Sequence, residues 1–159
     1  MTKRTKKYFN MIYWFTGQPG HGKTVLSLLL KDYLVKNYHR NVIHIDGDDL
    51  REIFENKDYS KEGRIKNIVF AQQLAQFCQT KGFDVVVSLV SPYKETRESF
   101  KEKMRGKIQE IYVHTTEPRG REDFHVKDYE PPTDEFIEVD TTYDTPVESL
   151  KYITSGVGI

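Results

Sequence analysis

The chain of 159 residues has a single cysteine, Cys78, so no disulfide can form within it. Cys78 stands in an apolar helical stretch, the setting of a buried thiol rather than of a nucleophile. Net charge is also missing. The 24 Lys and Arg balance the 24 Asp and Glu, so no overall field draws the chain to nucleic acid or to acidic membrane. No apolar run is long enough to span a bilayer, and the first residues lack the apolar centre of a secretory signal. A cytoplasmic enzyme-sized domain is the expectation. Internal repeats, linkers and low-complexity tracts are absent, and the length suits one domain with one substantial core. A local excess of positive charge at Lys3, Arg4, Lys6 and Lys7 reads as a basic, solvated tail over residues 1–10, ahead of a single domain at 11–159.

Against these absences one motif stands out. Gly17-Gln18-Pro19-Gly20-His21-Gly22-Lys23-Thr24 fits G-x-x-x-x-G-K-[ST]. An apolar, aromatic run (Met11 to Phe15) precedes it and reads as a strand; Val25 to Lys36 reads as a helix. In that context the glycines permit a tight turn whose N–H groups converge on a polyphosphate, and the helix N-terminus adds partial positive charge. Lys23 can reach the β- and γ-phosphate oxygens, and the Thr24 hydroxyl can ligate Mg²⁺.

The rest of the chain alternates strand and helix with short connections, which predicts an α/β fold with a five-stranded parallel sheet flanked by helices, a P-loop NTPase architecture. Strands are expected at Ile12 to Phe15, Asn41 to Ile45, Asp84 to Leu89, Glu110 to His114 and Glu135 to Val139. Helices are expected at Lys23 to Lys36, Asp49 to Glu55, Lys61 to Thr80, Pro92 to Met104 and Pro146 to Ile153. Pro92 suits the first turn of its helix, and Lys81-Gly82 suits a helix stop. On the long helix, Ile68, Val69, Phe70, Leu74 and Phe77 are core candidates. The polar stretch Thr115 to Thr133 reads as a short lid.

Ligands of open α/β sheets bind at the carboxyl ends of strands. Gly17, Asp46/Asp48, Ser88/Ser91 and His114/Thr115 all fall at such ends and should crowd one rim. Beside phosphates and Mg²⁺, one of Asp46 and Asp48 can hold the metal while the other accepts a proton from an attacking hydroxyl. Arg51 can hold an anionic group. Arg64 and Asn67, at i and i+3, share a helix face that can look into a cleft.

Four stretches together resemble the adenylylsulfate kinases: WFTGQPGHGKT from Trp14, DGDDLR from Asp46, GRIKNI from Gly63 and SLVSPYKETRE from Ser88. The likeness covers Tyr13 to Arg97 well and the remainder loosely. It implies an ATP-dependent kinase that phosphorylates the 3′-hydroxyl of adenosine 5′-phosphosulfate (APS), with Mg²⁺ accompanying ATP and with ATP and a small anionic acceptor as partners. Members of that family are often homodimers. Position by position, the resemblance implies that Gly17, Gln18, Pro19, Gly20, His21, Gly22, Lys23 and Thr24 hold the ATP phosphates. Asp48 becomes the base or, with Thr24, a metal-linked carboxylate. Asp46, Arg51, Arg64, Asn67 and Val90 become acceptor-site residues, with Tyr59 and Phe124 packing on the acceptor's base. Ser91 matches a serine that can be phosphorylated in the family, although the residues themselves read it as a helix cap before Pro92 that also lines the site. Arg119 and Arg121 are lid cations that can stabilise transferring charge.

The chain departs from the family pattern at two places. Val69-Phe70 stands where the family has an arginine pair, and the lid over about 115–133 is much shorter than the family's basic one. These departures keep two alternatives open: a P-loop kinase for another hydroxyl acceptor (nucleoside, nucleotide, sugar or polynucleotide end), or a weakly catalytic nucleotide-binding regulator.

Overall fold

A computed structural model describes residues 9–159; Lys3, Arg4, Lys6 and Lys7 of the expected basic tail lie outside the described residues. Asn10 is already part of the body, because its carbonyl accepts from Gln79 Nε2 at 3.1 Å and its Oδ1 accepts from Arg40 at 3.2 Å.

Five parallel strands, β1 (Ile12–Thr16), β2 (Val42–Asp46), β3 (Asp84–Ser88), β4 (Ile108–His114) and β5 (Phe136–Asp140), form one sheet in the order β2-β3-β1-β4-β5. The helices are α1 (Lys23–Tyr38), α2 (Gly47–Ile53), α3 (Lys61–Thr80), α4 (Lys94–Lys103) and α5 (Pro146–Val157), with one short 3₁₀ turn at Glu122–Phe124. Because side chains alternate along a strand, β1 feeds two cores. Ile12 and Trp14 join Val85, Val87, Ile68, Ala71, Ala75 and Phe100 on the α3–α4 face. Tyr13 and Phe15 join Val86, Leu26, Leu30, Leu34, Ile111 and Ile153 on the α1–α5 face. β3 is buried at every position, as a strand covered on both faces requires.

The helix ends follow local chemistry. Ser60 caps α3, its side chain accepting from Gly63 N at 3.3 Å. Thr145 caps α5 through Glu148 N and returns a hydrogen bond to the Glu148 carboxylate, with Pro146 in the first turn. α1 starts differently: Gly22, with φ 104°, turns the chain into the helix with no side-chain cap.

Two expectations are corrected. α4 begins at Lys94 behind Tyr93, so Pro92 precedes the helix rather than opening it, and Ser91 does not cap it. On α3 the buried residues toward the sheet are Ile68, Ala71, Ala75 and Cys78, and the small side chains of the last three let the helix lie close. Val69, Leu74 and Phe77 face outward, Phe77 with 61% of its surface exposed. Phe70 stacks on Phe54 with ring centroids 4.6 Å apart.

Candidate active site

β1 lies between β3 and β4, the point where the strand order reverses, and its C-terminal end delivers the phosphate loop. Register brings Asp46 opposite Ser88, Ser88 opposite Phe15, and Thr16 opposite Tyr112 on one rim. Close approach there requires glycine. A Cβ at Gly17 would stand 2.2 Å from the Val113 carbonyl oxygen, which is backbone and cannot move aside.

Over this rim opens a cavity of about 630 Å³. The phosphate loop contributes Pro19, Gly20, Lys23 and Thr24 to its lining, the β2–α2 junction Asp46 and Asp48, α2, α3 and their link Arg51, Tyr59, Arg64 and Asn67, and the lid Arg121, Phe124 and His125. Val90 and Ser91 complete the floor. Half of the expected phosphate loop, both carboxylates and the expected acceptor-side residues therefore share one space; Gly17, Gln18, His21 and Gly22 do not line it.

Lys23 Nζ donates to the Gln18 carbonyl at 2.9 Å. Burial pulls its pKa down to about 8, opposed by the Asp46 and Asp48 carboxylates and reinforced by Arg121. Loss of water makes a buried ammonium costly and leaves it suited to an incoming anion. His21, also in the loop, is held down to about 4 by burial and then by the neighbouring His125, Lys23, Arg119 and His114. It is a neutral imidazole whose ring meets His125 edge-on at 5.0 Å.

The two carboxylates divide their work. Asp46 caps α2 by accepting from Asp48 N at 2.9 Å, and it also accepts from Thr24 Oγ1 at 3.3 Å and Ser88 Oγ at 3.0 Å. Ser88 Oγ lies 2.9 Å from His44 Nε2, which is 3.1 Å from Ser27 Oγ. With the Ser27 hydroxyl donating to the Thr24 carbonyl at 2.9 Å and that of Ser88 to Asp46, the shared His44 Nε2 is the protonated nitrogen. The carboxylate beside Thr24 is thus Asp46 rather than Asp48. The Asp48 carboxylate is exposed to the cavity and has no hydrogen-bond or ion-pair partner among the described residues.

On the acceptor side, Arg51 builds as well as lines. It donates to the carbonyls of Asn56 and Asp58 at 3.1 and 3.0 Å and lies over the Tyr59 ring at 4.1 Å. Arg64 makes no ion pair among the described residues and faces the same cavity. Asn67 is buried; its Nδ2 donates to the Gly47 carbonyl at 3.4 Å, and its Oδ1 has no partner among the described residues. Val69 and Phe70, which stand where the family has an arginine pair, do not line the cavity.

Ser91 is 1% exposed and has φ 45°, left-handed backbone in a non-glycine residue. Its hydroxyl accepts from Trp14 Nε1 at 3.0 Å, and its carbonyl accepts from Arg97 at 2.6 Å. Thr16 Oγ1 donates to the Val90 carbonyl at 2.7 Å. The serine is a mounted part of the wall rather than a free hydroxyl. Of the two lid arginines, Arg121 lines the cavity, whereas Arg119 is turned away onto the Thr141 carbonyl at 2.9 Å and Glu117 at 3.3 Å. Asp123, His125 and Val126 also line the cavity and were not singled out by sequence, although they flank Phe124 in the expected lid.

A family model described as adenylylsulphate kinase matches residues 10–151. The chain belongs to the adenylylsulphate kinase family. The cytidine diphosphoramidate kinase of Campylobacter jejuni is 31% identical over 143 residues, spanning 87% of this chain and 83% of that one. The probable adenylyl-sulfate kinase of Pyrococcus abyssi is 29% identical over 159 residues, spanning 88% and 90%. Among solved structures, the Mycobacterium tuberculosis APS kinase CysC in complex with AMPPNP and APS superposes with a TM-score of 0.82 at 18% identity, over 95% of this chain and 99% of that one, and so supports the fold. The chain is a P-loop kinase, an ATP-dependent phosphotransferase. No helix among the described residues is long and apolar enough to cross a membrane.

Proposed function

We propose that this kinase transfers the γ-phosphoryl group of ATP to the 3′-hydroxyl of APS. The observation that carries the reading is the Asp48 carboxylate, without a partner among the described residues, in one cavity with Lys23 and Thr24 and with Arg64, Asn67 and Tyr59. The polyphosphate lies along the loop, with Lys23 and Arg121 facing its terminal group. Arg64 meets the acceptor's anionic chain, the free Asn67 Oδ1 takes a donor from it, and Tyr59 and Phe124 offer aromatic faces to its base. Asp48 takes the proton of the attacking hydroxyl as the new O–P bond forms and the bond to the departing ADP breaks.

The site suits Mg²⁺, which favours oxygen ligands and retains waters. Thr24 Oγ1 and Asp46 Oδ2 converge to 3.3 Å at the phosphate end, with Asp46 oriented by Ser88. When bound, the ion neutralises charge on the phosphate oxygens. Asp46 and Thr24 would hold it, leaving Asp48 to the proton.

A second reading, cytidine diphosphoramidate as acceptor, is favoured by the 31% identity to the Campylobacter enzyme and by the short roof. Both acceptors are nucleotides with an anionic 5′ chain, so one experiment separates them. Purified protein is given ATP with each acceptor in turn, and kcat/KM is measured. Preference for APS by about tenfold or more, a modest difference in transition-state binding, is expected. The reverse preference installs the second reading. No phosphorylated product from either, with ATP bound, overturns both.

A further inference from the structure

We infer that Gln18 is a positioning residue for the acceptor: its side chain pins the short lid as a fixed roof over the cavity. Gln18 stands inside the phosphate loop, yet its amide is directed at the lid. Its Nε2 donates to the Val126 carbonyl at 2.8 Å, and its Oε1 accepts from Val126 N at 2.9 Å. Both polar groups of this half-buried side chain are thereby satisfied by the backbone of a residue 108 positions away.

No other hydrogen bond among the described residues ties the stretch 122–128 to the body. Its remaining bonds are local: Phe124 N to the Arg121 carbonyl, His125 N to the Glu122 carbonyl, the Glu122 carboxylate to Arg119 N, and the Val126 carbonyl to Tyr129 N. The flanks are fastened independently. Upstream, Arg119 holds the Thr141 carbonyl, and Arg121 packs on Gly20 so closely that a Cβ there would lie 3.1 Å from its own. Downstream, the Tyr129 hydroxyl lies 2.8 Å from Thr16 Oγ1, Glu130 N donates to the Pro92 carbonyl at 2.8 Å, and Arg97 bonds the Glu130 carbonyl. Between these anchors lie Asp123, Phe124 and His125, the roof residues facing the cavity. Their placement rests on Gln18 and on the edge-on contact of His125 with His21. A roof held this way is complete before ligand arrives, which lets so short a lid order the acceptor without first folding over it.

The test uses Gln18→Leu, which removes both bonds, and Gln18→Glu, which keeps size and shape but replaces the donor with an oxygen facing the Val126 carbonyl. In ligand-free protein, hydrogen exchange at the Val126 amide is expected to accelerate about tenfold or more in Gln18→Leu, as for an N–H losing its one partner among the described residues. Acceptor KM is expected to rise about tenfold in both variants, while ATP affinity, which rests on the loop backbone, stays within about threefold. The kinetic arm rests on the acceptor reading above; the exchange arm involves no acceptor and so decides the proposal separately. Unchanged Val126 exchange in Gln18→Leu overturns it, as does Gln18→Glu behaving like the unmodified protein, or a loss of ATP affinity equal to the rise in acceptor KM.

Discussion

Two loop side chains carry unusual protonation, and both trace to burial. His21 keeps a pKa of about 4 in the folded chain against about 6.5 when unfolded. Between those values the unfolded state binds the extra proton, so stability falls as pH drops from 6.5 toward 4. A thermal-unfolding series in ligand-free protein checks it: the acid slope is expected to flatten in His21→Ala, and an identical slope would contradict the assignment. Lys23, held to about 8, follows the same sign at higher pH. Folded Lys23 gives up its proton before the unfolded side chain does, so stability gains from it between about 8 and 10.5. A bound polyphosphate reverses the cause by supplying the missing counter-charge.

At the scale of elements, the link between α2 and α3 is built to hold Tyr59 and Arg51 beside the cavity. Asn56 Nδ2 donates to the Gly63 carbonyl, Asp58 N to Asn56 Oδ1, and Ser60 N to Asp58 Oδ1, all near 3 Å. Gly63 permits this closeness, because a Cβ there would stand 2.2 Å from the Asp58 carbonyl oxygen, which is backbone and cannot swing aside. Gly63→Ala is therefore expected to cost about 1–3 kcal/mol, as overpacking does, despite alanine's better helix propensity. It should also raise acceptor KM while leaving ATP affinity near its original value. Urea denaturation with steady-state kinetics reads both; a more stable variant with unchanged KM would contradict the account. This link was only partly legible in sequence. The GRIKNI run marked Arg64 and Asn67, but a glycine inside a helix shows no sign of the carbonyl that will approach it. α3 was misread for a related reason: Ala71 and Ala75 look bland beside Phe70 and Phe77, yet it is their smallness that meets the sheet.

For the whole molecule, the strand–loop–helix pattern was enough to place the phosphate loop, both aspartates and Ser88 on one rim, because parallel β/α units put every strand's carboxyl end on the same side. Sequence could not rank those residues. Which carboxylate neighbours Thr24 depends on the β2–β3 register that sets Asp46 opposite Ser88 and on the His44 that Ser88 shares with Ser27, contacts between distant segments. Val69 and Phe70, which replace the family's arginine pair, do not line the cavity, and the short lid is tied down at both flanks and at Val126. The central claim is that Asp48 stands free, in one cavity with phosphate-loop and acceptor-side residues, to receive one proton. Turnover and ATP affinity of Asp48→Asn, measured beside the unmodified protein, test it most directly. The account expects kcat to fall by about 10²–10⁴, the range for losing a general base, with ATP affinity held within about threefold; a kcat left unchanged would contradict it.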